Sequence, residues 1–239
     1  VGGGGDPFNG GTPPAPGTAC TALDAADPGH CATASTTVYT PAALGVTKVF
    51  NSMAQTSLGQ YQATYTVTVS NTGGLPGSYT LTDTPGFAAG TVLNGWMVNS
   101  TNGSVNAPLP VLINGATHQI SATATPIAAG GTHSYVVVIA FTASPSTAAA
   151  SLACSGTPGN GAYNAASIGS AAPAASACGN LPGLPNLTLA KSSNGPWSAG
   201  QTGAQYVLTV TNVGNAATSG TTKVMDTLPT GVSAVNTTN

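Results

Sequence analysis

The sequence predicts an all-β protein of short antiparallel strands packed as a β-sandwich. Three observations predict it. The composition disfavours helix, because Gly, Thr, Ser, Asn, Val and Pro are abundant and all rank low as helix formers. Apolar residues alternate with polar ones in short runs bounded by turn residues. Finally, one stretch of the chain occurs twice.

The elements follow in chain order. Residues 1–44 form a Gly/Pro/Thr-rich N-terminal arm with a short strand predicted at 35–40. A complete β-domain is predicted over 45–180, then a linker at 181–185, then the first half of a second domain over 186–239. Within the complete domain, YTVTVSNTGG places Tyr65, Val67 and Val69 on one face and Thr66, Thr68 and Ser70 on the other. Asn71-Thr72-Gly73-Gly74 is a turn. SYTLTDTPG sets Tyr79, Leu81 and Asp83 in one register and stops at Pro85-Gly86. Further strands are predicted at 91–98, 111–113, 119–125, 133–142 and 162–168. The run at 133–142 is the most apolar and is expected to be central. About seven short strands with frequent turns read as a sandwich.

The repeat is collinear in three places. LGVTKVF (44–50) matches LTLAKSS (187–193), YTVTVSNTGG (65–74) matches YVLTVTNVGN (206–215), and TLTDTPGF (80–87) matches KVMDTLPTGV (223–232). The offset is 143 residues from Lys48 to Lys191 and again from Asp83 to Asp226, and 141 from Asn71 to Asn212. Only loops change length, as a duplicated module requires.

These residues carry a family resemblance. A lysine strand, Tyr-x-x-T-V-x-N-x-G, Asp-Thr-x-Pro, Gly130-Gly131 before an apolar strand, and Tyr163-Asn164-Ala165-Ala166 late in the domain resemble the bacterial conserved surface-repeat family, domain of unknown function eleven. The resemblance covers 45–180 fully and 186–239 as a half. Asp83-Thr84-Pro85 departs from it, lacking the residue that Asp226-Thr227-Leu228-Pro229 keeps before proline. The resemblance implies immunoglobulin-like sandwich repeats on a bacterial cell surface, in structural or adhesive roles and not in catalysis.

Charge excludes several partners. Only 3% of residues are charged, against about 25% in an ordinary domain. Three lysines and no arginine cannot neutralise a run of phosphates, so nucleic acid is excluded, and an anionic membrane surface with it. The longest apolar run, residues 135–141, is far shorter than the roughly 20 residues a spanning helix needs. A surface so poor in charge lacks the self-repulsion that keeps copies apart, so the expected partner is the chain itself, as a homopolymer. A host or surface glycan stays open as a second partner.

Four cysteines allow three connectivities. The local pairs Cys20–Cys31 and Cys154–Cys178 are predicted because each brackets a Gly/Pro-rich turn. Disulfides place the chain outside the cytosol, extracellular or at the cell surface, and each contributes about 3 kcal/mol in the loop-entropy account. No Cys-x-x-Cys occurs and His30 is the one nearby imidazole, which argues against zinc. The chain opens VGGGGDPFNGG without Met and is expected to be a processed product or a fragment.

No catalytic set stands out, no cofactor motif appears, and the reading is a protein that is not an enzyme. His30, His118 and His133 are expected on a turn, a turn and a strand start, away from any nucleophile. Asp24 and Asp27 are the best acidic residues for calcium, which needs six to eight oxygens that five scattered aspartates do not supply. Asn99, Asn102, Asn186 and Asn236 stand in N-x-[ST] sequons, which such a composition produces by chance.

One constellation carries chemistry. In a chain almost free of charge, the repeat keeps a lysine and an aspartate at matching positions, Lys48 with Asp83 and Lys191 with Asp226. A first-strand lysine, a mid-domain acid and a last-strand asparagine, here Asn164, form the set with which pilin-like domains make an internal Lys–Asn isopeptide bond. Burial of such a set favours a neutral amine, a nucleophile, beside a protonated acid that can polarise an amide. A Lys–Asp ion pair with a turn-capping Asp and a backbone-bonded Asn is the plainer alternative.

The second repeat lacks counterparts of the Gly-Gly strand and the Asn strand, so it exposes strand edges and an apolar face. Three functions fit. The first is a subunit of an extracellular filament, assembled head to tail, whose arm adds as a strand to the incomplete repeat of a neighbour. The second is a stalk fragment of a long tandem-repeat adhesin. The third, from another class, is a glycan- or protein-binding module that uses Trp96, Tyr79 or Trp197 as stacking surfaces.

Overall fold

The computed structural model describes residues 37–235. The predicted Cys20–Cys31 disulfide, His30, the candidate calcium ligands Asp24 and Asp27, and the Asn236 sequon lie outside the described residues. From Pro41 onward these residues belong to one compact unit.

The fold is all-β with antiparallel sheets. One four-stranded sheet has the order β1–β2–β8–β5, from Leu44–Ser57, Gln60–Asn71, Thr132–Thr142 and Val92–Ser100. A second has the order β10–β9–β4–β6, from Ala175–Ala177, Asn164–Ser167, Thr82–Pro85 and His118–Gln119. Two short pairs complete the fold: β3 (Gly77–Tyr79) with β7 (Thr125–Ile127), and β11 (Leu187–Ser193) with β12 (Tyr206–Asn212). Both larger sheets bury one face in a common core. The first contributes Tyr65, Val67, Val69, Tyr135, Val137, Ile139 and Phe141, all wholly buried, and the second buries Asp83, Asn164 and Ala166. The alternation expected from Tyr65 to Val69 is therefore the inward face of β2, and the apolar run of β8 lies inside its sheet between β2 and β5.

Several strands differ from expectation. Residues 111–113 form no strand, because Ala116 N–H donates to Ile113 O at 3.1 Å and closes the Asn114-Gly115 turn. The segment 119–125 is not continuous. β6 ends at Gln119, Ser121 makes a single bridge to Val105, and Ala124, with φ 53°, turns the chain into β7. The SYTLTD run divides into β3 and β4, yet Tyr79, Leu81 and Asp83 all stay buried as the period-2 reading requires. Of the arm strand at 35–40, residues 37–40 are described and are not in a strand. β10 (Ala-Ser-Ala) and the short helix Ala149–Leu152 (Ala-Ala-Ser-Leu) differ from expectation too; both are too short and too rich in Ala to show an alternation.

Asn71 explains the repeated N-x-G. Its Oδ1 accepts from Ala43 N and Gly73 N at 3.0 Å each, and its Nδ2 donates to Leu75 O and Ala128 O at 2.8 and 3.1 Å. A Cβ on Gly73 would lie 2.0 Å from Pro41 O, so no larger residue fits without moving backbone. The second repeat rebuilds the device. Asn212 Oδ1 accepts from Asn186 N and Gly214 N, Nδ2 donates to Ala216 O, and a Cβ on Gly214 would lie 2.4 Å from Asn186 N. The residue read as a turn former is thus a clamp that ties the start of the lysine strand to the end of its partner. Register repeats as well: Lys48 pairs with Val67 in β1–β2, and Lys191 with Leu208 in β11–β12.

Cys154 and Cys178 form a disulfide across 24 positions, which pins the segment before β9 to the end of β10. The second repeat is tied to the first through Asn215, whose Nδ2 donates to Ser144 O at 3.0 Å and Thr147 O at 2.9 Å.

Candidate functional site: a buried lysine, aspartate and asparagine

Three strands bring Lys48, Asp83 and Asn164 into the core. Lys48 lies on β1, whose inward positions face the second sheet, and β1 runs beside both β9 and β10. Asp83 and Asn164 lie on the adjacent strands β4 and β9. The register pairs Asp83 with Ala166 and Pro85 with Asn164. Asp83 and Asn164 are therefore diagonal neighbours on one face, a spacing within reach of side chains. All three residues are buried.

Lys48 Nζ donates to Asp83 Oδ1 in a short, solvent-free contact. Nζ also stands 5.1 Å from the centre of the Tyr65 ring, and the Tyr65 hydroxyl donates to Ala162 O at 2.6 Å. Burial pushes the Lys48 ammonium below its ordinary value of 10.5, while the adjacent Asp83 pulls it back up. Burial, and secondarily the Asp83 charge, raises Tyr65 above its ordinary 10.0, which leaves its hydroxyl as a neutral donor. Three polar atoms here have no hydrogen-bond partner: Asp83 Oδ2 and both Oδ1 and Nδ2 of Asn164. Leaving a buried polar group unpaired costs about 1–3 kcal/mol. The plainer expectation, an Asn164 side chain bonded to backbone, is not what the structure holds.

The arrangement offers an amine, an acid and a primary amide in a site closed to water. The corresponding pair of the second repeat is open. Lys191 Nζ donates to Asp226 Oδ1 at 2.5 Å and lies 4.1 Å from the Tyr206 ring centre, but the two side chains are 34% and 25% exposed. In both repeats the partners stand 35 positions apart.

The other sequence candidates are scattered. Tyr79 is buried, its hydroxyl 2.7 Å from His133 Nδ1 and from the Tyr135 hydroxyl, so it is not a stacking surface. Trp96 and Trp197 are half-buried with their N–H groups given to Pro110 O and Asn194 Oδ1. His118, expected on a turn, lies in β6, buried and packed edge-on against Trp96. Asn99, Asn102 and Asn186 are exposed. Among the described residues, no group of three or more His, Cys, Asp or Glu side chains is placed to hold a metal, and no helix is long and apolar enough to cross a membrane.

No protein-family model matches the chain, and no curated protein matches it.

Proposed function

We propose that the chain is a structural subunit of an extracellular bacterial filament or surface fibre, built of immunoglobulin-like repeats and assembled head to tail by strand addition. The observation that carries this reading is the uncovered second repeat. Among the described residues β11 and β12 pair only with each other, and their apolar side chains face solvent, among them Leu189, Val207, Leu208 and Val210. An exposed apolar sheet with unpaired edges is a template for another strand. Near-zero charge removes the repulsion that would oppose contact between copies. The surface-repeat resemblance and the Cys154–Cys178 disulfide support an extracellular setting.

The test is assembly. Purified full chain is expected to polymerise alone, seen by sedimentation and negative-stain microscopy, and deletion of residues 1–44 is expected to stop it. A chain that stays monomeric, with slow amide-exchange protection confined to residues before 186, overturns the filament reading in favour of a stalk fragment whose next strands follow in the same polypeptide. A monomer that retains a glycan or protein partner favours the binding module instead.

A further inference from the structure

We propose that Lys48 and Asn164 are joined by an amide bond that the folded domain forms by itself, with Asp83 carrying the proton. The cluster is built for that reaction and poorly built for a plain ion pair. An ion pair explains Lys48 and Asp83 Oδ1, but it leaves a fully buried primary amide with neither its donor nor its acceptor used, next to a carboxyl oxygen that also has no partner. Native cores seldom leave three such atoms in one place. Joining the amine to the amide carbon expels Nδ2 as ammonia and leaves one carbonyl oxygen and one N–H, which a protonated carboxyl, both donor and acceptor, can serve. The topology adds a mechanical reason. β1 belongs to one sheet and β9 to the other, so the bond ties the two sheets together across the core.

The step balances without a co-reactant. Proton transfer from the Lys48 ammonium to Asp83 leaves a neutral amine and a neutral acid, the state that desolvation favours. The acid donates to Asn164 Oδ1 and polarises the amide. Lys48 Nζ attacks Cγ, forming the new C–N bond. The proton lost by Nζ passes through Asp83 to Nδ2, the Cγ–Nδ2 bond breaks, and ammonia leaves. One amine and one primary amide become one secondary amide and NH₃, with nothing oxidised or reduced. The second repeat has the lysine, the acid and the tyrosine but no asparagine strand among the described residues, and its Lys191–Asp226 pair is partly exposed. This inference stands independently of whether the chain polymerises.

The experiment is the intact mass of the full chain, denatured and reduced, with peptide mapping by a protease that does not depend on lysine. The expected result is a mass about 17 Da below that of the sequence, the loss of one ammonia. A single branched peptide should then contain both the Lys48 and the Asn164 segments. Asn164→Leu, which keeps the Lys48–Asp83 pair, should restore the full mass and abolish the branched peptide. Lys191→Met should change neither. A wild-type chain at its full sequence mass overturns the proposal. So does a deficit that persists in Asn164→Leu, since a succinimide at an Asn-Gly pair such as Asn114-Gly115 loses the same ammonia.

Discussion

The two repeats place the same residues in the same register and put them in opposite environments. Lys48 and Lys191 each reach an aspartate 35 positions on and lie against a tyrosine of the neighbouring strand. Val67 and Val69 occupy the positions of Leu208 and Val210. In the first repeat the lysine and aspartate side chains have no exposure, and the two valines have none either. In the second, Leu208 and Val210 are 37% and 39% exposed. The difference is the second layer. β4, β6, β9 and β10 cover the first repeat, whereas residues 223–229, which match the β4 region, form no strand. A local pattern can therefore build the hairpin, the clamp and the ion pair. It cannot bury them.

Mutations should separate the two environments. The largest effect is expected at the aspartates. In the Asn164→Leu background, where Lys48 stays unbonded, Asp83→Ala strands a buried lysine and should lower unfolding stability by about 3–5 kcal/mol, whereas Asp226→Ala removes a partly exposed pair and should cost under about 1 kcal/mol. Guanidinium unfolding midpoints of the two variants check this, and equal losses would refute the contrast. The apolar positions come next. Val67→Ala should cost about 2 kcal/mol, while Leu208→Ala in a dispersed monomer should stay within about 0.5 kcal/mol. If strand addition covers the second repeat, the Leu208→Ala cost should grow in assembled fibres, read as a raised critical concentration for assembly.

The smallest expected effect is a pH slope. Burial lowers Lys48 from 10.5, so between its lowered folded value and 10.5 the unfolded chain holds more protons than the folded one. Stability should then rise with pH, and the Lys48 penalty should fade as pH climbs towards 10.5. The clean window ends near the ordinary tyrosine value of 10.0, because raised Tyr65, Tyr79 and Tyr135 contribute stability that is lost above it. Asn164→Leu is the background for this measurement, since an amide-bonded lysine would not titrate. Adding Lys48→Met should flatten the slope. A slope of the opposite sign would mean that the Asp83 attraction outweighs desolvation.

The sequence by itself determined whatever depends on neighbours along the chain. Alternation from Tyr65 to Val69 fixed which face of β2 turns inward, because side chains on a strand point alternately to its two faces. The repeated Lys, Asn and Asp marked the residues that matter, since a chain with 3% charge keeps few such groups. Cys154–Cys178 followed from local spacing. The tertiary structure alone decided the rest. Asn71 read as a turn residue became a four-bond clamp, because its partners Ala43 and Ala128 come from other strands and loops. Residues 111–113 looked like a strand, but their backbone went into a turn beside Pro85. That Asn164 is buried with both amide atoms unpaired near a desolvated lysine was also invisible in sequence. Burial is set by packing two sheets against each other, and no periodicity within one strand records what the opposite sheet supplies.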